Sequence, residues 1–309
     1  MTRVLITGAA GMIGRSVLAR LNAPDVIATD LARGTLPPDT AFERLDVTTD
    51  DPARVIAAHR PDVVVHLASI VTPPPGMTRK AAHAVDVTGT RNVLQACIDH
   101  CVRRIVVTSS GAAYGYHADN PMPLRESDPC RGNPEFAYSD HKRQVEEILA
   151  RARIDHPNLE QVVLRVGTVL GAGVENQITA LFRRKRLLAV SGSDSPFVFI
   201  WTGDLARILH HAATAAPTGI FNVAGDGMMT VDDLARALKK PVLRIPASLL
   251  RAALAIAHPL GLTPYGPEQV RFLQYRPVLS NDRLKRDFGI IPECTSAQAF
   301  DIWKQAAAL

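Results

Sequence analysis

The chain has 309 residues, a net charge of +5 and 47% hydrophobic residues, which suits one large globular domain or a domain with a smaller lobe. No apolar run reaches the ~18 residues of a membrane span and no signal-peptide layout is present, so we expect a cytoplasmic protein without a membrane partner. Most basic residues are scattered, and the one run, "RRKR" at 183–186, is assigned to the exposed face of a helix, so no nucleic-acid partner is expected.

Short apolar runs in the first half of the chain predict β-strands, and helical patterns separate most of them. The runs cover 3–7, 25–30, 63–68, 104–110 and 161–167, with helices at 50–60 and 139–153. Such alternation predicts a parallel sheet covered on both faces. After residue 170, helices are predicted at 176–187, 203–215, 231–239, 247–257 and 296–308, with strands at 197–201 and 219–225.

This order predicts an α/β protein built on a Rossmann-type, doubly wound parallel sheet. We assign residues 1–170 to a dinucleotide-binding domain, to which 200–225 contribute, and residues 171–309 to a smaller, mostly helical substrate-binding lobe. In such folds ligands bind beyond the carboxyl ends of the strands.

A glycine-rich turn follows the first strand directly. In "TGAAGMIG", glycines at a strand-to-helix turn let the backbone approach a pyrophosphate, which the helix N-terminus then binds. The predicted cofactor residues in this turn are Gly8, Gly11, Met12, Ile13 and Gly14.

Acidic and small residues at later strand ends extend this dinucleotide site. Asp30 ends the second strand and can accept hydrogen bonds from the adenosine ribose, which favours NAD over NADP, although Arg33 lies nearby. The remaining cofactor residues are predicted at the adenine edge and along the cofactor path: Asp46, Val47, Leu67, Ala68 and Ser69.

A tyrosine and a lysine lie four residues apart in "YSDHK", near the start of the helix after the fifth strand. Tyr138 is a poor base at neutral pH because the pKa of a free tyrosine is about 10. The ammonium of Lys142 and a cationic nicotinamide both favour tyrosinate, and Ser110, at the end of strand five, can hydrogen-bond the substrate oxygen. The three residues predict proton transfer at a carbinol or carbonyl, coupled to hydride transfer with the nicotinamide.

These motifs make the chain similar to the extended short-chain dehydrogenases/reductases, also called NAD-dependent epimerases/dehydratases. "TGAAGMIG", "TSSGAAYG" and "YSDHK" resemble the family's glycine, serine and YxxxK motifs. The resemblance implies that Tyr138 is the acid/base, that Lys142 lowers its pKa and binds the cofactor ribose, and that Ser110 orients the substrate. It also implies a homodimer through the helices near 78–101 and 137–153, with Ala82, Val145 and Ile148 as candidate contacts unless they pack on their own sheet.

The chain departs from the family pattern at several positions. Asp86 replaces the Asn of the NxxGT stretch, and we favour a helix-capping role for it over a role on the cofactor side. In relatives that bind nucleotide sugars, an Asn stands where this chain has Thr168, and an Arg where it has Phe197. Asn176 resembles a substrate-binding Asn, and Arg276 is a further source of positive charge. Ser110, Thr168 and Asn176 are the predicted substrate residues.

We therefore predict an NAD(P)-dependent oxidoreductase acting on a small molecule that carries a secondary alcohol or ketone, with NAD favoured over NADP. The alternative is a nucleotide-sugar epimerase or dehydratase that retains NAD. A non-catalytic dinucleotide sensor would have no use for the Ser110, Tyr138 and Lys142 set. No metal site is expected, because the cysteines and histidines lack metal-ligand spacing.

Overall fold

The structure is a computed structural model that describes residues 2–21, 25–263 and 265–309. Its strands are β1 (Val4–Thr7), β2 (Val26–Asp30), β3 (Phe42–Arg44), β4 (Val63–His66), β5 (Arg104–Ser110), β6 (Glu160–Val166), β7 (Thr168–Leu170), β8 (Leu187–Val190), β9 (Phe199–Trp201), β10 (Gly219–Val223) and β11 (Val242–Ile245). Its α-helices are α1 (Met12–Leu21), α2 (Asp51–His59), α3 (Arg79–His83), α4 (Gly89–Asp99), α5 (Ala137–Asp155), α6 (Gln177–Phe182), α7 (Thr202–Thr214), α8 (Val231–Leu238), α9 (Ala247–Ala257), α10 (Gln269–Gln274), α11 (Asp282–Arg286) and α12 (Ser296–Ala306).

Seven of the strands form one parallel sheet in the order β10-β6-β5-β4-β1-β2-β3. From β1 the chain builds outward through β2 and β3, and it then returns to the other side of β1 with β4. The direction of winding therefore reverses between β1 and β4, which is where dinucleotide-binding sheets hold their ligand. The predicted doubly wound fold is confirmed.

Alternate residues of the central strands face opposite helical layers. Ile6 of β1 packs with α1 and α7 on one side, whereas Leu5 packs with α2, α4 and α5 on the other. Both side chains are fully buried, so burial on each face holds the strand ends in fixed positions. Because β10 joins this sheet and α7 covers it, both elements pack on the part of the fold that the first 170 residues form. The exact domain boundary stays a prediction.

The C-terminal part is mostly helical, as predicted, but the helix expected over 176–187 ends at Phe182. The Lys240 ammonium donates to the Phe182 carbonyl at 2.7 Å, which stabilises the helix end. Residues 183–186 are exposed, as expected, but they lie in a bend rather than on a helix. The bend leads into β8, which pairs with β11, and we predicted neither strand.

The predicted dimer contacts are wrong in detail, because two of the three side chains are already buried within the protomer. Ala82 is 3% exposed and Val145 is 1% exposed, and Val145 packs under the sheet in the same core as Ile148. The alternative of packing on its own sheet therefore holds for Val145, and a homodimer stays a prediction. Among the described residues, no helix has the length and apolar character to cross a membrane.

Candidate active site at the carboxyl edge of the sheet

The glycine-rich turn after β1 is closed so tightly that larger side chains would not fit. Gly8 has a φ of +70°, and a Cβ added there would lie 2.7 Å from the backbone nitrogen of Ala68. A Cβ on Gly14 would lie 2.5 Å from the carbonyl oxygen of Ala9, so this glycine lets α1 pack against the end of β1. Gly11 donates its N–H to the Gly8 carbonyl. The turn therefore has the close backbone packing that a pyrophosphate site requires.

Asp30 stands at the end of β2 and holds the glycine turn from the side. Its carboxylate accepts hydrogen bonds from the N–H groups of Ala10 at 3.0 Å and Leu31 at 2.8 Å. The Arg33 guanidinium lies over the Phe42 ring at 5.2 Å and donates to the Pro37 carbonyl. These contacts hold the Arg33 side chain on its own loop.

The remaining predicted cofactor residues line the same edge of the sheet. Asp46 accepts from the N–H and hydroxyl of Thr48, so its carboxylate shapes the turn after β3. Val47 is buried and packs where a Cβ on Gly89 would clash. The side chains that begin α1 or follow β4 are partly exposed at this edge: Met12, Ile13, Leu67, Ala68 and Ser69.

The structure brings Ser110, Tyr138 and Lys142 together where β5 ends and α5 begins. Ser110 accepts from the Ala112 N–H at 3.1 Å, which orients its hydroxyl. The Lys142 ammonium lies 5.8 Å from the centre of the Tyr138 ring and donates to the Thr108 carbonyl at 3.0 Å. Lys142 is 5% exposed, whereas Ser110 and Tyr138 are half-buried.

Electrostatics in this cluster favour neutral tyrosine in the protein alone. Burial raises the pKa of Tyr138 to about 12, the neighbouring Ser110 hydroxyl lowers it, and Asp86 raises it. Burial also lowers the pKa of Lys142, which the carboxylates of Asp86 and Glu146 partly offset. A tyrosinate therefore needs further positive charge near Tyr138.

Asp86 does not cap a helix, and our favoured interpretation of this residue is wrong. It lies in a π-helical turn (Ala84–Thr88) between α3 and α4 and makes no side-chain cap. One carboxylate oxygen accepts from the Ser69 hydroxyl and the Ile70 N–H, both at 2.8 Å. The other lies 2.9 Å from Nδ1 of His141. The extra residue of the π turn points Asp86 inward, because such turns shift side chains from the α-helical register.

The predicted substrate residues lie on the C-terminal side of the sheet. Thr168 begins β7 and donates its backbone N–H to the Val198 carbonyl. Asn176 is the N-cap of α6, and its amide oxygen accepts from the N–H groups of Ile178 and Thr179. The cap occupies that oxygen and leaves the amide NH₂ as the group that a substrate can reach.

We did not predict that Arg276 would lie on the ring of Phe197, with 3.8 Å between the guanidinium carbon and the ring centre. This places a cation next to Phe197, the position at which the nucleotide-sugar relatives have an arginine. Nη1 of Arg276 donates to the Ser195 carbonyl at 2.6 Å, whereas its buried Nε has no hydrogen-bond partner among the described residues. Burial lowers the pKa of Arg276 to about 9.

A group of three aromatic rings from separate segments lies beside this arginine. Tyr116 meets the rings of Phe136 and Phe272 edge-on at 5.3 and 5.4 Å, and Arg276 lies 5.3 Å from the Phe272 ring. Phe136 is two residues before Tyr138, so the aromatic group lies next to the start of α5. By contrast, Tyr114 is fully buried and hydrogen-bonded to Asn222, which makes it structural.

Within the described residues, no three His, Cys, Asp or Glu side chains are grouped to hold a metal ion. His66 illustrates the structural use of histidine here. Its ring nitrogens contact the hydroxyls of Thr7 at 2.7 Å and Thr90 at 3.0 Å, and burial lowers its pKa to about 3. It links β1, β4 and α4 as a neutral side chain.

Known proteins resemble this chain in sequence and in fold. It is 30% identical over 244 residues to dTDP-4-dehydrorhamnose reductase of Streptomyces griseus, covering 75% of this chain and 74% of that one. It is 32% identical over 215 residues to UDP-glucose 4-epimerase of Azospirillum brasilense, covering 62% and 60%. The crystal structure of UDP-glucose 4-epimerase from Thermotoga maritima with UDP-glucose superposes with a TM-score of 0.78 at 20% identity, covering 99% of both chains.

The model of the NAD dependent epimerase/dehydratase family matches residues 4–224. This range runs from β1 to the end of β10 and includes the glycine turn, Ser110, Tyr138 and Lys142. The resemblance seen in the sequence motifs is thereby confirmed, and the chain belongs to the NAD dependent epimerase/dehydratase family of enzymes.

Proposed function

We propose that this protein is an NAD-dependent oxidoreductase that acts at a carbon bearing a secondary alcohol or ketone. The observation that carries the proposal is the grouping of Ser110, Tyr138 and Lys142 at the carboxyl end of β5, on the same edge of the sheet as the glycine turn. The closed turn at Gly8 and Gly14 and the placement of Asp30 suit a dinucleotide. When bound, NAD supplies the hydride chemistry.

Each side chain of the cluster has a separate task. Ser110 accepts a hydrogen bond from the Ala112 N–H, and its hydroxyl, which neighbours Tyr138, donates to the substrate oxygen when substrate binds. Tyr138 takes the proton from a substrate hydroxyl, or returns one to a carbonyl. Lys142 is held by the Thr108 carbonyl and presents its charge to Tyr138 and to a cofactor ribose. A cationic nicotinamide would supply the positive charge that lowers the pKa of Tyr138 from its raised value.

A nucleotide-sugar substrate is the second candidate, and the position of Arg276 favours it. The guanidinium is buried on Phe197 without a carboxylate partner in the described part of the chain. A diphosphate can accept hydrogen bonds from such an arginine, and charge-assisted bonds of this type contribute about 1.5–3 kcal/mol each. On this proposal the enzyme takes a hydride from the sugar and returns it, so NAD stays bound.

The test is a comparison of wild type with Tyr138→Phe. We expect the variant to bind NAD(H) with unchanged affinity, because the ring is retained, and to lose turnover by about 10²–10⁴-fold. The assay follows NADH formation with secondary alcohols and product formation with UDP- and dTDP-hexoses. A variant that retains full turnover would refute the assigned role.

The two candidates differ in what the purified protein carries. An epimerase or dehydratase that regenerates its cofactor should release close to one NAD per chain on denaturation. A dehydrogenase must exchange its cofactor, so it should purify largely empty and gain thermal stability on adding NAD(H). A protein that neither holds nor binds NAD(H) would contradict both.

A further inference from the structure

Helix α9 and the turn that follows it expose large aliphatic side chains. Leu249 and Ile256 of the helix are 61% and 65% exposed, and Leu260 and Leu262 beyond it are 67% and 77% exposed. Leu249 and Ile256 are seven residues apart, which is two helical turns, so they point to the same side. Of the twelve exposed large hydrophobic side chains in the described residues, five lie within 243–262. Such a concentration marks an interaction surface, whereas exposed apolar residues that are scattered singly do not.

The opposite face of α9 fixes the helix to the protein. Leu250 is buried in a small core with Val190 of β8 and Val270 of α10. Leu254, one turn later, packs against the same core. Because only Pro246 separates β11 from α9, the helix must fold back over the β8–β11 pair to make these contacts. One face of α9 is therefore anchored, and the apolar outer face is left to the surroundings.

The charge on this part of the protein has one sign. Residues 176–193 and 234–267 together contain nine Lys and Arg and no Asp or Glu, which leaves 26 Lys and Arg against 30 Asp and Glu in the rest of the chain. The net charge of +5 therefore comes from these two ranges. They meet in space, because Leu187 pairs with Val242 and donates its N–H to the Pro241 carbonyl at 3.0 Å.

Several of these cations are exposed near the apolar face. Residues 184–186 precede β8, Lys239 precedes the neighbouring strand β11, and Arg251 lies on α9 itself; all are exposed. Three of the other cations form ion pairs with acidic residues: Arg183, Arg236 and Arg244. Exposed aliphatic side chains beside exposed cations are complementary to an anionic membrane surface, where the former enter the acyl boundary and the latter meet the headgroups.

A second copy of the chain is a poorer match for this face. A two-fold contact brings the same patch of both subunits together, so Lys239 and Arg251 would approach the same cations of the other copy and be repelled. Protein interfaces are also enriched in aromatic side chains at their centre, whereas the large exposed side chains of this face are leucine and isoleucine.

We propose that α9 and the turn at 258–262, with the basic residues 184–186, Lys239 and Arg251, bind the surface of an anionic lipid membrane. A helix that lies on a membrane does not span it. The expectation of no membrane partner considered only spanning segments, and the proposal replaces it. The inference does not depend on the proposed catalytic function.

The experiment measures co-flotation of the full chain with vesicles of phosphatidylcholine alone or of phosphatidylcholine mixed with phosphatidylglycerol. Leu249→Gln/Ile256→Gln removes the apolar face and keeps a good helix former. Lys185→Gln/Lys239→Gln/Arg251→Gln removes exposed cations only. Ile154→Gln is the matched control, because Ile154 is 78% exposed but lies on α5. All of these side chains are exposed, so the melting temperatures should match wild type.

We expect wild type to bind the phosphatidylglycerol vesicles more strongly than phosphatidylcholine alone. This binding should fall at high salt, because the screening length shrinks from about 10 Å at ~0.1 M to about 3 Å at ~1 M. Leu249→Gln/Ile256→Gln should bind at least ~10-fold more weakly. The triple cation variant should lose at least ~10-fold on phosphatidylglycerol vesicles, and Ile154→Gln should bind as wild type does.

Two results would overturn the proposal. One is wild type that floats with neither kind of vesicle, which needs no variant to fold. The other is a Leu249→Gln/Ile256→Gln variant that floats as wild type does. Sedimentation velocity adds the competing occupant: self-association of wild type that this double variant abolishes, without vesicle binding, would assign the face to a second copy. Each of these results leaves the NAD(H) test of the proposed function unaffected.

Discussion

Replacing Gly8 with alanine should damage the cofactor site through two separable effects. The first is conformational, because Gly8 has a φ of +70°, and a left-handed backbone costs a residue with a Cβ about 1–2 kcal/mol. The second is steric, because the new Cβ would meet the backbone of Ala68 at 2.7 and 2.9 Å. Backbone atoms cannot rotate away, so β1 and the loop after β4 must separate at about 1–3 kcal/mol.

Gly289 provides the matched control. It has a φ of +84°, and an added Cβ would meet no atom within 4 Å. Gly289→Ala should therefore lose about 1–2 kcal/mol of unfolding free energy, whereas Gly8→Ala should lose about 2–5 kcal/mol in total. Against a typical total of about 5–15 kcal/mol, both proteins should fold.

The assay combines urea denaturation with calorimetric titration of NAD⁺. Gly289→Ala should bind NAD⁺ as wild type does, and Gly8→Ala should bind at least ~10-fold more weakly, which corresponds to about 1.4 kcal/mol. If Gly8→Ala bound NAD⁺ normally, or if both variants lost affinity equally, the assignment of the glycine turn as a pyrophosphate site would be refuted.

Three further outcomes follow from other parts of the structure. Arg276→Gln should weaken UDP binding by about 1.5–3 kcal/mol without changing NAD⁺ affinity in the same calorimeter, and equal UDP binding would exclude the arginine from the substrate site. Arg165→Met leaves the buried Glu146 carboxylate, which lies 3.0 Å from the arginine in wild type, without a partner. Urea denaturation should therefore show a loss of about 3–5 kcal/mol of unfolding free energy. Adding Glu146→Leu should restore much of this free energy, and no recovery would contradict the pairing. Because the pKa of Tyr138 is raised, the ultraviolet difference spectrum between wild type and Tyr138→Phe should show no tyrosinate at pH 9–10 in the protein alone. A tyrosinate signal should appear once NAD⁺ is bound, since a nearby cation lowers a tyrosine pKa. A tyrosinate signal that is the same with and without NAD⁺ would refute this coupling.

The central sheet was predictable because its determinants are local in sequence. Gly8, Gly11 and Gly14 directly follow the first apolar run, and Tyr138 and Lys142 begin the helix after the fifth, so their order along the chain places them at the carboxyl edge. The strand pair β8 and β11 was not predicted, because it depends on a contact between distant parts of the chain. Strand β8 pairs with β11, more than fifty positions later, and neither segment carries a strong local signal.

The contacts of Asp86 could not be predicted from sequence patterns. Spacing located it at the start of a helix, where a capping role is the usual interpretation. The π-helical turn and the pairing with His141, 55 positions away, are tertiary features. The aromatic group beside Arg276 could not be predicted either, because Tyr116, Phe136 and Phe272 come from three separate segments.

The central claim is that this chain binds NAD at the glycine turn and uses Tyr138 to move a proton. The most direct measurement is the amount of nicotinamide dinucleotide per chain, determined after denaturation of the purified protein and again after saturation with NAD⁺ or NADP⁺. We predict one NAD per chain at saturation, with NAD⁺ bound more tightly than NADP⁺. A protein that binds neither dinucleotide would contradict the account.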